Sequence, residues 1–297
     1  MKIANTIAEV RAARPAFARL GLAPTMGFLH AGHLSLVERA KAECGAVAVS
    51  IFVNPTQFSP TEDFARYPRD LERDLDLLRG AGTDLVFTPQ PSEIYPGGFA
   101  TSVDVGPVSR RLEGASRPGH FAGVATVVAK LFSIVQPTRA YFGQKDAQQT
   151  VVIRRMARDL DLPVEVVVAP TVREPDGLAL SSRNSYLRPE ERAAAPVLYR
   201  ALREAQDRFA GGERDAAALR GVIEAIIAEE PGFAIDYVSV ADPETLEELG
   251  TVAGPALASL AARIGKTRLI DNVVLGEKVD DVYGQPARSA ERFPDRD

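Results

Sequence analysis

The chain has 297 residues, 45% of them hydrophobic and 25% charged, a balance suited to a soluble fold of one large or two modest domains. A net charge of −5 with no basic run argues against a general nucleic-acid surface, though a local basic pocket for a small anion fits. The single cysteine, Cys44, excludes a disulfide framework and a cysteine-rich metal site.

The start of the chain lacks the apolar core of a secretory signal, and its most apolar run, residues 46–53, is too short to span a bilayer. The chain therefore reads as cytoplasmic, with no membrane partner. Residues 22–25 and 46–53 read as buried strands with a helix over 32–44 between them. A charged amphipathic helix over 70–80 precedes a strand at 84–88. An apolar helix over 121–135 ends before Pro137, and a short strand follows at 139–142. A helix over 146–159 and a strand over 164–169 complete the pattern. Apolar strands separated by helices predict a Rossmann-like α/β domain, a parallel sheet covered on both faces. Ligands then belong at the carboxyl ends of the strands.

Pro175, Asp176 and Gly177 form a turn signal, after which the pattern changes. Helices over 189–210 and 215–229 precede strands at 235–240, 256–264 and 267–275, with Gly265 and Lys266 as a tight turn. The division expected is a first domain over 1–172, a smaller C-terminal α+β lid domain over 173–276, and a polar, frayed tail over 277–297.

Residues 24–33, PTMGFLHAGH, lie where the first buried strand gives way to a helix. Free N–H groups and the helix dipole favour a phosphate there. Gly27 and Gly32 let a nucleotide approach the backbone closely. His30 and His33 share a helix face if the helix includes both, and the positive field favours neutral imidazoles that still donate hydrogen bonds. Two plainer readings stay open: a metal pair, for which only His120 remains as a further histidine, or surface histidines at an ordinary helix start.

Lys145 follows another strand and opens another helix, a placement against the helix dipole that points to a phosphate. Ser181, Ser182 and Arg183 can grip a polyphosphate, although such a run is more often a plain loop. Gln57 and Gln149 offer amides at the mouth of the sheet. The Gly265-Lys266-Thr267 run is no P-loop, because Leu260 stands where a Walker motif needs glycine.

The run PTMGFLHAGH resembles the HIGH-type signature of the nucleotidyltransferase superfamily in its pantothenate synthetase (pantoate–β-alanine ligase) form. The likeness continues through SIFVNPTQF, EGASRPGHFAGV, FGQKDAQQ, PTVREPDGLALSSRN and TRLIDN, covering roughly residues 20–275. It implies ATP-dependent condensation of pantoate with β-alanine through a pantoyl-adenylate. It implies catalytic roles for His33, His30, Lys145 and Arg183, with His33 treated by the family as a proton donor. ATP would touch Met26, Gly27, His30, His33, Gly143, Lys145, Asp146, Val172, Leu180, Ser181, Ser182 and Arg183, with Val172 facing adenine. Gln57 and Gln149 would hold pantoate or β-alanine. ATP chemistry further implies Mg²⁺ to neutralise phosphate charge, with no Asp/Glu cluster marking a dedicated protein site, and the resemblance implies a homodimer. Gln144 departs from the usual Glu, and Ala147 from a frequent aromatic. The rivals are a related nucleotidyltransferase that leaves its nucleotide on the product, and a nucleotide-binding module without catalysis.

Overall fold

The computed structural model describes residues 1–59 and 64–276; the tail expected over 277–297 lies outside them. Six strands, β1 (Lys2–Ala4), β2 (Gly21–Thr25), β3 (Val47–Ile51), β4 (Leu85–Phe87), β5 (Arg139–Gly143) and β6 (Glu165–Ala169), form one parallel sheet in the order β1-β4-β3-β2-β5-β6. β1 is an element the sequence reading left out. It has three residues, too few to display a period, and it is identified only by its pairing with β4.

The long helices of this sheet are α1 (Ile7–Ala13), α2 (Ala31–Cys44), α3 (Leu71–Gly80), α6 (His120–Val135) and α7 (Ala147–Asp159); α4 (Pro91–Ile94) and α5 (Glu113–Ser116) are single turns. Alternate strand residues point to opposite faces. Ala23, Val47, Val49, Val86 and Tyr141 pack with α2 and α3 on one side. Leu22, Ala48, Leu85, Phe87, Ala140 and Phe142 pack with α1, α6 and α7 on the other. This two-sided burial is why the strands read as unbroken apolar runs.

From β2 the chain crosses through α2 to β3 on one side, while β5 lies against the other side of β2 and leads through α7 to β6. The order reverses between β2 and β5, and a crevice opens above their carboxyl ends.

The helix expected over 189–210 is two helices, α8 (Pro189–Ala194) and α9 (Val197–Ala210). Pro196 divides them, since proline has no N–H to donate and its ring crowds the preceding turn. With α10 (Ala216–Ala228), α9 packs on an antiparallel sheet of β7 (Phe233–Ala241), β8 (Ala256–Ile264) and β9 (Thr267–Leu275). Gly265 and Lys266 form the two-residue turn between β8 and β9.

The two sheets are joined by polar contacts. Arg268 grips Glu113 with bonds of 2.6 and 2.8 Å. Asn272 of β9 donates to the carbonyls of Gln144 and Lys145 at 3.0 and 2.9 Å and accepts from Gln144 Nε2 at 2.8 Å. Gln144 is thus a buried strut, and its remaining oxygen has no hydrogen-bond partner. Ala147, the first residue of α7, is buried in the core.

α6 approaches the turn at Pro55–Gln57 at its backbone. A Cβ on Gly123 would lie 2.4 Å from the Thr56 carbonyl oxygen. The close approach lets Asn54 Nδ2 donate to the Gly123 carbonyl at 3.2 Å. Gly123→Ala should cost about 1–3 kcal/mol by overpacking and displace the turn that carries Gln57. Thermal melts and the NMR shifts of the Gln57 side-chain amide report these two effects separately.

Candidate active site

A cavity of about 230 Å³ opens at the switch point between β2 and β5. The chain leaves β2 through a bend with Gly27 at φ 83° and Phe28 at φ 52°. A left-handed bend is costly for phenylalanine and needs outside support. Asp74 of α3 supplies it: the amides of Phe28 and Leu29 each donate to one of its carboxylate oxygens at 2.7 Å. Asp74 is 1% exposed, and burial lifts its carboxyl above the usual aspartate range despite the two amide donors. Neighbouring Arg73 donates to the Leu29 carbonyl at 3.0 Å. Gly27 does not line the cavity; it forms the bend behind it.

The bend delivers His30 as the N-cap of α2, outside the helix, with His33 at its third position. The two ring centroids lie 4.0 Å apart with the rings tilted by 38°, and only His33 belongs to the helix. His30 Nδ1 accepts the Gly32 amide at 3.2 Å, and His33 Nδ1 accepts the His30 amide at 3.3 Å. A backbone N–H can only donate, so each Nδ1 must be unprotonated and each Nε2 carries the hydrogen. Both rings are neutral for the same physical reasons. Burial, then the Lys145 and Arg73 charges, lower the His30 pKa to about 4. Burial, then His30 and Lys145, lower that of His33 to about 3. The outcome is a pair of fixed Nε2–H donors at a helix N-terminus.

From β5, a 3₁₀ turn over Gln144–Asp146 carries Lys145 into the same cavity before α7 begins, so the helix starts one residue later than expected. Lys145 lies 3.5 Å from the half-exposed carboxylate of Asp146. Loss of hydration against the cavity walls alone would raise the Asp146 pKa, but the Lys145 and Arg183 charges outweigh it and hold the carboxyl below the usual range. After β6 the chain doubles back, with Leu180 donating to the Val172 carbonyl at 3.0 Å. That hairpin sets Ser181, Ser182 and Arg183 on the cavity rim, where Ser182 Oγ reaches the Phe28 carbonyl at 3.4 Å.

Gln57 is buried and its amide is oriented. The Gly123 carbonyl faces Asn54 Nδ2, which also donates to Gln57 Oε1 at 3.1 Å. The –NH₂ of Gln57 is left toward Met26 Sδ, at 3.3 Å on the cavity wall. The adjacent glutamines of α7 divide their work. Gln148 is buried and bonds to the Glu113 amide and to the Val108 and Arg111 carbonyls. Gln149 lines the cavity.

Met26, His30, His33, Gly143, Lys145, Asp146, Val172, Leu180, Ser181, Ser182, Arg183, Gln57 and Gln149 all line this one space. Three participants were missed from sequence: Asp74, Arg117 and His120. Arg117 Nη1 lies 3.1 Å from His120 Nε2, and a guanidinium only donates, so His120 Nδ1–H donates to the Gln57 carbonyl at 2.8 Å. Both stand in the RPGHF run, whose turn and helix-start residues conceal that role.

Two outcomes follow from this geometry. The chain has three histidines, and in NMR titrations the His30 and His33 ring signals should stay unshifted from about pH 9 down to about pH 5.5. Because the folded pKa values lie below the unfolded 6.5, the unfolded chain takes up protons first. Stability is full above pH 6.5 and falls as the pH drops toward about 4 and then about 3. Asp74→Ala strands two buried amides and should cost about 2–4 kcal/mol. The same change should perturb both histidine ring signals, and wild-type signals in that variant would refute the role given to Asp74.

A family model described as Pantoate-beta-alanine ligase matches residues 2–274. The chain is 65% identical to a pantothenate synthetase of Chloroflexus aurantiacus, over 93% of this chain and 98% of that one. It is 66% identical to one of Roseiflexus sp., over 93% and 99%. The crystal structure of pantothenate synthetase from Thermus thermophilus superposes with a TM-score of 0.89 at 55% identity, covering 92% of this chain and 99% of that one. A Francisella tularensis pantoate-beta-alanine ligase, complexed with beta-gamma ATP and beta-alanine, gives 0.75 at 37% identity, over 92% and 97%. Together with the matched motifs lining one cavity, these likenesses establish that the chain belongs to the pantoate–β-alanine ligase family.

Proposed function

We infer that this enzyme condenses pantoate with β-alanine, using ATP and releasing AMP and pyrophosphate through a pantoyl-adenylate. The observation that carries the reading is the pair of neutral, backbone-locked Nε2–H donors lining one cavity with Lys145, Ser182 and Arg183. That set suits phosphoryl transfer, which depends chiefly on positioning and charge stabilisation. A pantoate carboxylate oxygen forms a bond to the α-phosphorus. The bond from that phosphorus to the bridging oxygen breaks, and its electron pair leaves with pyrophosphate. The β-alanine amine then bonds to the acyl carbon and loses a proton, while the carbon–oxygen bond breaks toward AMP.

In this reading His30 and His33 donate hydrogen bonds to phosphate oxygens as charge builds. With a pKa of about 3, His33 acts as a neutral donor rather than an imidazolium acid. Lys145 and Arg183 supply charge, Gln57 and Gln149 hold pantoate, and Val172 borders the adenine. Among the described residues no group of three or more His, Cys, Asp or Glu gathers to hold a metal. Among the described residues lining the cavity, Asp146 is the one carboxylate. This donor set fits a Mg²⁺ held mainly by the nucleotide's own phosphates, with Asp146 able to join its shell. Bound so, the ion would neutralise phosphate charge.

The same proposal includes a division near residue 173 with the second unit as a lid, a cytoplasmic location and assembly as a homodimer, which sedimentation tests. No described helix is long and apolar enough to cross a membrane. Pantoate-dependent ATP–pyrophosphate exchange followed by β-alanine-dependent AMP release should be observed. Exchange indifferent to pantoate would overturn the substrate assignment. His33→Ala and Lys145→Ala should each slow adenylate formation by ~10²–10³.

A further inference from the structure

Beyond the first cavity lies a second, of about 670 Å³. Lys145, Asp146, Ser181 and Arg183 line both, so a group held by them has open space on its far side. One wall of this space carries Arg66. The other comes from the antiparallel sheet: Arg263 of β8, Arg268 of β9, and Lys266 at the turn between them. The chain as a whole has a net charge of −5, so this concentration of cations is local.

Among the described residues lining the space, three carboxylates offset only part of the charge of seven Lys and Arg side chains. Glu113 binds Arg268 at 2.6 Å, Asp271 binds Arg173 at 2.6 Å, and Asp146 lies 3.5 Å from Lys145. Lys266 is exposed to the space and forms no ion pair with any described residue. A cleft in which one sign of charge predominates, walled by protein, focuses its field and raises the local concentration of counter-ions. Point charges from Lys and Arg suit phosphate oxygens.

Geometry selects which phosphate. This step rests on the reaction inferred above. In an in-line displacement the leaving group departs opposite the attacking oxygen. Gln57 and Gln149, on the attacking side, line the first cavity and are not among the residues lining the second. We propose that the second cavity is a binding and exit site for free pyrophosphate, with Lys266 as its outermost cation.

The test uses the full chain at low ionic strength, where such charges are least screened. Pantoate-dependent ATP–pyrophosphate exchange is measured against pyrophosphate and, separately, against ATP, for wild type, Lys266→Glu and Lys266→Arg. Lys266 occupies an exposed turn outside the catalytic set, so these variants keep the fold. Lys266→Glu should raise the half-saturating pyrophosphate concentration about five- to tenfold, leaving that for ATP unchanged, and Lys266→Arg should behave as wild type. Half-saturation by pyrophosphate within about twofold of wild type in Lys266→Glu would overturn the proposal. So would an equal rise for ATP, which would make Lys266 a contact of the bound nucleotide instead. If wild type shows no pantoate-dependent exchange, the reaction reading falls by itself. Calorimetric titration of pyrophosphate into wild type and Lys266→Glu then still decides the cavity: weaker binding by the variant upholds it, and equal or absent binding overturns it.

Discussion

The carboxylate of Asp74 accepts the amides of Phe28 and Leu29, and this capture of a left-handed bend sets the course of the chain out of β2. The bend determines where α2 begins. The start of α2 determines that His30 is its cap and His33 its third residue. Their Nδ1 atoms are then occupied by backbone amides, which leaves both Nε2–H groups to the cavity. The hydrogen-bond donors that His30 and His33 offer the cavity are therefore a consequence of helix capping: the atoms that close the helix's own hydrogen bonds also choose the tautomer.

A similar dual use governs the far side of the crevice. Asn272 directs its amide to the backbone of Gln144 and Lys145, so the strand that completes the small sheet also steadies the turn bearing the cavity's lysine. The acid–base pairs Arg268–Glu113 and Arg173–Asp271 are largely buried and belong to the same seam. Such pairs contribute modestly to net stability but strongly to a defined arrangement, since a partner left alone would be a buried charge. Gln144 fits this seam as an amide. Asn272 Nδ2 is committed to two carbonyls, so its oxygen needs a donor opposite it, and glutamine supplies one.

The sequence disclosed the architecture through periodicity. Strands buried on both faces leave unbroken apolar runs, and all but β1 among the parallel strands could be placed within a residue or two. The strand β1 was too short to show a pattern, and the break at Pro196 was lost inside an otherwise continuous amphipathic stretch. The cavity residues were legible where they sat in contiguous motifs at strand ends. Asp74 was not, because its partners lie about 45 positions away in the chain and an acidic residue in a charged amphipathic helix looks like surface.

By itself, then, the sequence determined the α/β class, the membership of the family and most of the residues it singled out for the cavity, because those follow from local pattern and contiguous motifs. Tertiary structure alone decided which nitrogen of each histidine carries the proton, which way the Gln57 amide faces, and that Gln148 braces the fold while Gln149 meets the cavity. It also decided that cations from β8, β9 and their turn gather beside Lys145. Each of these depends on a partner brought from a distant part of the chain, and a hydrogen bond or a field has no direction until that partner is in place.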